Sequence, residues 1–206
     1  MLKIWGRISS INVQKVIFTV REIGLAHERV DAGGAFGVVD TPEYRVLNPN
    51  GLVPVIQDGD WVLWESNAIV RYLARVHAAG TLWPDDPRVA ADADRWMDWQ
   101  TTTLGPAMLA AFWNLIRTPA EKRDAAAVAS SIAKTEAMMD ILEPRFARRR
   151  YATGDAFTMG DIALACAVHR WFGLPCDNRP RSDLRRWYDD VLTRPSTAGV
   201  LTLPVV

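Results

Sequence analysis

The chain has few of the residues that most often carry chemistry. Only two cysteines, Cys166 and Cys176, occur in 206 residues. They are too few, and too far from any histidine, for a disulfide framework or a structural zinc site. The three histidines, His27, His77 and His169, are scattered, so a metallohydrolase or a Ser-His-Asp hydrolase has no parts to assemble. They read as structural or surface residues, and no metal is expected. No apolar run reaches the roughly 18 residues that would span a bilayer, and the start Met1-Leu2-Lys3-Ile4-Trp5-Gly6 reads as a strand rather than a cleavable leader. The expectation is a cytoplasmic chain with no membrane partner, both cysteines reduced and Cys166 in the core. One-sided charge is missing too: Lys+Arg and Asp+Glu number 24 each, eight of each before Thr81 and sixteen of each after it. Neither half is built to hold polyphosphate, and the run from Arg145 to Arg150 reads as a solvated helix end, so no nucleic-acid partner is expected.

What is present is an ordinary globular mixture, 49% apolar and 23% charged, whose patterning changes along the chain. Leu2 to Trp5 reads as a strand. Val13, Val16, Ile17, Val20 and Ile23 then form the apolar stripe of a helix that Gly24 ends. Leu25 to Val30 forms a second strand, followed by a Gly-rich loop (Gly33, Gly34, Gly37) and a short helix near Pro42 to Leu47. Val53 to Gln57 and Trp61 to Trp64 make a hairpin around Asp58-Gly59-Asp60. From Glu65 onward, Ala68, Ile69, Tyr72, Leu73 and Val76 supply another amphipathic stripe. The order is βαβ, then αββα.

Beyond His77 the strand signal fades. Gly80, Pro84, Asp85, Asp86 and Pro87 form a breaker-rich connection, so residues 1–79 read as one domain, 80–87 as a linker and 88–206 as an all-helical domain. The first long helix, Arg88 to about Ile116, is expected to kink at Gly105-Pro106. Pro119 fits the first position of the next, which runs to about Arg149. Thr158-Met159-Gly160-Asp161, flanked by Phe157 and Ile162, is a capping box with its hydrophobic staple. A last helix covers Ser182 to Thr193, and no internal repeat is evident.

Three motifs in order carry a resemblance over essentially the whole chain: Ser-Ser-Ile-Asn-Val-Gln-Lys-Val at the first helix, Asn48-Pro49-Asn50-Gly51-Leu52-Val53-Pro54-Val55 before the third strand, and Trp64-Glu65-Ser66-Asn67-Ala68-Ile69 opening the third helix. With the box at Thr158 to Asp161, the chain resembles the cytosolic glutathione S-transferase family, in particular its bacterial serine-type, theta- or nu-like members. The resemblance implies an α/β plus all-α fold: a thioredoxin-like N-terminal domain that holds glutathione and a helical C-terminal domain that lines an electrophile pocket. It also implies a homodimer, with reduced glutathione as co-substrate and no tightly bound cofactor. Val53-Pro54 resembles the family's cis-proline pair, whose first residue offers its backbone to the cysteinyl part of glutathione. Glu65 and Ser66 resemble the pair that meets the γ-glutamyl group. Leu52 stands where many relatives carry a lysine for the glycyl carboxylate, a role open here to Asn50, Gln57 or the loop Gly33 to Asp40.

The same residues support a chemical argument of their own. A thiol with pKa about 8.5 is only roughly 3% ionised at pH 7, and lowering that pKa by about two units requires about 2.7 kcal/mol in favour of the thiolate. One hydrogen bond to an ionised group supplies about 1.5–3 kcal/mol and a helix N-terminus about 0.3–1 kcal/mol more. A single hydroxyl at a helix start therefore suffices. Ser9, Ser10 and Asn12 stand where the first strand gives way to the first helix. Ser10 is the preferred activating hydroxyl, at the family's interval before Val16, with Asn12 as a second polar contact; a plain helix cap is the alternative role. Tyrosine-using classes need a tyrosine there, and the first is Tyr44; cysteine-using classes need a cysteine, and none precedes Cys166. Leu104, Met108, Ala111 and Phe112 are expected to line the electrophile pocket. Beside conjugation, two readings remain open on this sequence: glutathione-dependent reduction of disulfides or peroxides at the same site, and a non-catalytic glutathione or apolar-ligand binding module.

Overall fold

A computed structural model describes residues 1–206. Four short strands, β1 (Leu2–Trp5), β2 (His27–Val30), β3 (Val55–Asp58) and β4 (Trp61–Trp64), form one mixed sheet in the order β2-β1-β3-β4. β1 pairs with β2 in parallel, and antiparallel pairing joins β1 to β3 and β3 to β4. The parallel pair needs a crossover, and α1 (Ile11–Glu22) supplies it. α2 (Pro42–Leu47) covers one side of the sheet, where Tyr44 packs with Ala32 and Val55. α1 and α3 (Ser66–His77) pack on the other.

The sequence stripe describes α1 as one-sided, yet every residue from Val13 to Val20 is buried, including Gln14, Lys15 and Thr19. The reason is the second domain: α7 (Met159–Phe172) lies against the outer side of α1. α7 is the core of that domain, buried without a break from Met159 to Val168. Gly160 allows its close approach to α4 (Pro87–Trp99), because a Cβ there would stand 2.9 Å from the Ala93 carbonyl oxygen.

The first long helix has the expected extent, and one other helix expectation needs correction. Residues Pro87 to Arg117 form one continuous helical run in which α4 and α5 (Gly105–Phe112) alternate with π-helical turns at Gln100–Leu104 and Trp113–Arg117. The wider turn before Pro106 accommodates a residue that has no N–H to donate. Pro119 does not open the next helix; it precedes a 3₁₀ turn, Ala120–Lys122. α6 (Ala125–Ala147) starts after Asp124, whose carboxylate accepts from the Ala127 N–H at 2.9 Å. α8 (Ser182–Leu192) packs on α6.

Asp161, in the first turn of α7, is wholly buried. Its carboxylate accepts from the Ala152 N–H (2.7 Å), the Trp187 Nε1–H (3.0 Å), the Thr158 N–H (3.0 Å) and the Thr158 hydroxyl (3.2 Å). Burial pushes its carboxyl up to about 6, opposed by these donors. One carboxylate thus joins the 150s loop, the start of α7 and the Trp187 ring of α8, which stacks on Phe146 of α6. Asp161→Ala strands buried donors and is expected to cost about 3–5 kcal/mol, read as a lower urea midpoint at neutral pH with an unchanged slope.

Candidate functional site

The site begins where β1 ends. Gly6, at φ +148°, turns the chain under Val13, whose Cγ2 would lie 2.4 Å from any Cβ at that position. Arg7 to Ser10 then lead into α1. Ser10 occupies the N-cap position with extended backbone, φ −84° and ψ 124°, yet its hydroxyl bonds to no helix amide. The simple capping role is therefore absent. The amides of Ile11, Asn12 and Val13 likewise donate to nothing within the chain, as expected of a first helical turn without a cap. The Ser66 hydroxyl donates to Asn12 Oδ1 at 3.3 Å, which links the start of α1 to the start of α3.

The second half of the site is the approach to β3. The Val53–Pro54 peptide is cis. The Leu52 carbonyl accepts from the Tyr44 hydroxyl at 2.9 Å and from Asn48 Nδ2 at 2.8 Å, which fixes the loop against α2. Val53, outside β3, keeps its own N–H and C=O free of bonds within the chain. Burial pushes the Tyr44 phenol up to about 12, so it remains a neutral donor. The Leu52 side chain is 62% exposed and offers no charge in place of a lysine. Of the residues open to that role, Gln57 accepts the Trp5 indole N–H through Oε1 (2.6 Å), which leaves its Nε2 donors unused, and Asn50 Nδ2 donates to Asn48 Oδ1 (3.1 Å). Glu65 is exposed at φ +71°, a left-handed backbone that turns the chain sharply into α3.

Between the two domains lies a cavity of about 290 Å³, lined by Ser9, Ser10, Arg7, the loop Gly34 to Phe36, Phe112, Trp113, Arg117 and Arg170. Of the four residues expected to line an electrophile pocket, Phe112 does so. Leu104, Met108 and Ala111 are fully buried in the main core. Their spacing of four and three puts them on one stripe of the helical run, and that stripe meets neighbouring helices: the Ala111 N–H donates to Ser131 Oγ of α6 at 3.0 Å. Trp113 and Arg117 come from the adjoining, exposed face. The sequence reading missed Arg7, Arg117 and Arg170. No local signal marks them, because they belong to three distant segments that only the fold brings together.

Polar groups also fix the wall behind Ser10. The Lys15 ammonium, 1% exposed, donates to Asn67 Oδ1 at 2.9 Å and to Gln100 Oε1 at 3.1 Å. Asn67 Nδ2 donates to the Met97 carbonyl at 2.8 Å and to Thr101 Oγ1 at 2.9 Å. This network ties α1 to α3 and to the α4–α5 run. Cys166 is also buried, and burial pushes its thiol up to about 12, which removes it as a nucleophile. No group of three or more His, Cys, Asp or Glu side chains is placed to hold a metal ion, and no helix is long and apolar enough to cross a membrane.

Residues 9–76 match the family model for the glutathione S-transferase N-terminal domain, and residues 125–190 match that for its C-terminal domain. Glutathione S-transferase GstB of Escherichia coli K12 is 41% identical over the whole of both chains. The chain belongs to the glutathione S-transferase family. A glutathione S-transferase of Hyoscyamus muticus is 31% identical over 95% of each chain. Among solved structures, the theta-class glutathione S-transferase of Xanthomonas axonopodis pv. citri with glutathione bound superposes with a TM-score of 0.96 at 40% identity, covering 100% of this chain and 99% of that one. The thioredoxin-like sheet domain and the helical domain are thus the two halves of the glutathione S-transferase fold.

Lys15 yields a pH prediction. Burial, the largest effect on it, lowers its pKa from 10.5 to about 8, so between those values the unfolded chain binds more protons than the folded one. Stability from this group therefore rises with pH across that window, and below it the cost of burying the charge is constant. The unfolding free energy of Lys15→Met minus that of the parent is expected to fall by about 3 kcal/mol from pH 8 to 10.5. Denaturant titrations at several pH values read this difference directly.

Proposed function

We propose that this chain binds reduced glutathione and holds its sulfur as a thiolate at Ser10 for attack on an electrophile lodged in the interdomain cavity. The observation that carries the reading is the unbonded Ser10 hydroxyl beside the unused amides of Ile11, Asn12 and Val13, on the wall of that cavity. An anionic sulfur there meets a hydroxyl donor and a helix N-terminus together, which matches the roughly 2.7 kcal/mol that a two-unit pKa shift requires. Ser9 borders the same space, and Asn12 positions Ser66.

The remaining tripeptide contacts follow from the surrounding backbone. Val53, with its N–H and C=O free beside the cis proline Pro54, can pair with the cysteinyl unit as a strand would. The free amides at the start of α3 suit the γ-glutamyl carboxylate, with the Ser66 hydroxyl able to turn to it from Asn12, and the exposed Glu65 suits its ammonium. Leu52 contributes through its carbonyl, which anchors the loop. Phe36, Phe112 and Trp113 provide apolar flanks for the electrophile. Glutathione is a co-substrate in this scheme, consumed and released. Two free cysteines fit a reducing, cytoplasmic setting. A homodimer is part of the same proposal, supported by exposed apolar side chains such as Leu52 and Trp64.

The test is Ser10→Ala, assayed by conjugation of glutathione to a chromogenic aryl halide. Loss of a charge-assisted hydrogen bond predicts a fall in kcat of about 10- to 100-fold, with the KM for glutathione changed by no more than about threefold. An unchanged kcat would assign the activation to another group.

A further inference from the structure

Most arginines near carboxylates in this chain are paired: Arg71 with Asp94 and Asp98, Arg179 and Arg181 with Glu136 and Asp140, Arg194 with Glu22. Arg7, Arg117 and Arg170 have no side-chain carboxylate partner, Arg117 reaching only an oxygen of Val206, the last residue, and all three line the cavity that contains Ser9 and Ser10. The Arg170 guanidinium makes no hydrogen bond within the chain and lies 4.0 Å from the centroid of the Phe112 ring. The Arg117 guanidinium lies 5.6 Å from the centroid of the same ring and donates to the Val206 oxygen.

Arg7 lies across the Gly33-Gly34 turn. A Cβ at Gly33 would stand 3.0 Å from its Nη1 and one at Gly34 3.0 Å from its Nε, and both glycines have positive φ. The turn thus leaves room for the side chain. Desolvation and the neighbouring guanidiniums lower Arg170 to about 10, and desolvation with Arg117 lowers Arg7. Three like charges gathered in a partly buried space with no side-chain carboxylate among them are costly unless an anion joins them.

We infer that Arg7, Arg117 and Arg170 form an anion subsite beside Ser10, and that the electrophile of this enzyme carries a carboxylate on a small apolar or aromatic body. The inference rests on the glutathione-conjugating reading. It adds to it the charge of the second substrate, which the family's apolar pocket does not imply. The guanidiniums take the carboxylate by paired N–H donors, Phe112 and Trp113 face the body, and the reactive carbon is left toward the thiolate. For an aryl chloride the step balances simply: the sulfur lone pair forms the S–C bond, the C–Cl bond breaks with its electrons leaving on chloride, and the thiol proton has already passed to solvent.

The probes are 4-chloro-3-nitrobenzoate and its methyl ester, which share the ring and leaving group, together with the two S-aryl glutathione conjugates made from them. Wild-type protein, Arg170→Gln and the more exposed Arg7→Gln are compared by kcat/KM on the two chlorides and by calorimetry on the two conjugates. The acid-over-ester ratio is expected to drop by about tenfold or more in either variant, in turnover and in conjugate binding. The KM for glutathione should keep its wild-type value. Conjugates that bind equally well as acid and ester to the wild-type protein would overturn the anion subsite, whether or not either chloride reacts. So would a rise in the glutathione KM that is the same with both chlorides, since it would assign the arginines to the glycyl carboxylate of glutathione. Failure to turn over either chloride, with the acid conjugate still preferred, would count against the conjugation reading and leave the subsite standing.

Discussion

A hydroxyl group at the end of a short loop is left without a partner, and much of the chain serves to keep it that way. Ser10 could have closed its helix in the usual manner by accepting from an amide two or three residues on, and its backbone already has the extended conformation for that bond. The amides it would have satisfied are also unpaired. Such a helix start forgoes about 1 kcal/mol of capping and keeps several donors aimed at one point. A small anion at that point restores the missing bonds, which is why sulfur ionisation is the chemistry this geometry favours.

Holding that arrangement requires α1 to be immobile. The helix is enclosed by the sheet, by α3 and by α7, so even its polar residues are buried. Lys15 is an expensive residue to bury, and its two amide partners on α3 and the neighbouring helical run make it a cross-tie rather than an orphan. A second cross-tie, the Ser66 hydroxyl on Asn12, links the starts of α1 and α3. Asp161 does comparable work farther away, since α7 must be anchored before it can support α1. The sheet-domain wall and the helical-domain wall of the cavity thus share one packed centre, while the arginines that border the cavity reach in from its periphery.

What the sequence made legible was local. The capping box at Thr158 to Asp161, the turn at Asp58-Gly59-Asp60 and the strand–helix alternation of the first eighty residues each depend on neighbours within a few positions. Family motifs extended that reading to Val53-Pro54, whose peptide is cis, and to Ser66, whose hydroxyl meets Asn12. The failures were of longer range. Leu104, Met108 and Ala111 form a clear apolar stripe, but periodicity does not say whether such a stripe meets a substrate or another helix. Pro119 looked like a helix start because proline suits that position; the Asp124 carboxylate, five residues later, made the stronger cap. The burial of Lys15 depends on a helix about 150 residues away in the chain. Arg7, Arg117 and Arg170 were invisible for the same reason, because an unpaired charge can be recognised only when all of its neighbours are known.

Ionisation of one sulfur is the step on which the chemistry at Ser10 turns, and ultraviolet difference absorption of the bound thiolate measures it most directly. Protein saturated with reduced glutathione, titrated from acid to alkaline pH, should show the thiolate band rising with a midpoint about two units below that of the free thiol. In Ser10→Ala that midpoint should move back toward the free value. A wild-type midpoint at the free thiol's own pKa, or one that Ser10→Ala leaves in place, would contradict the account.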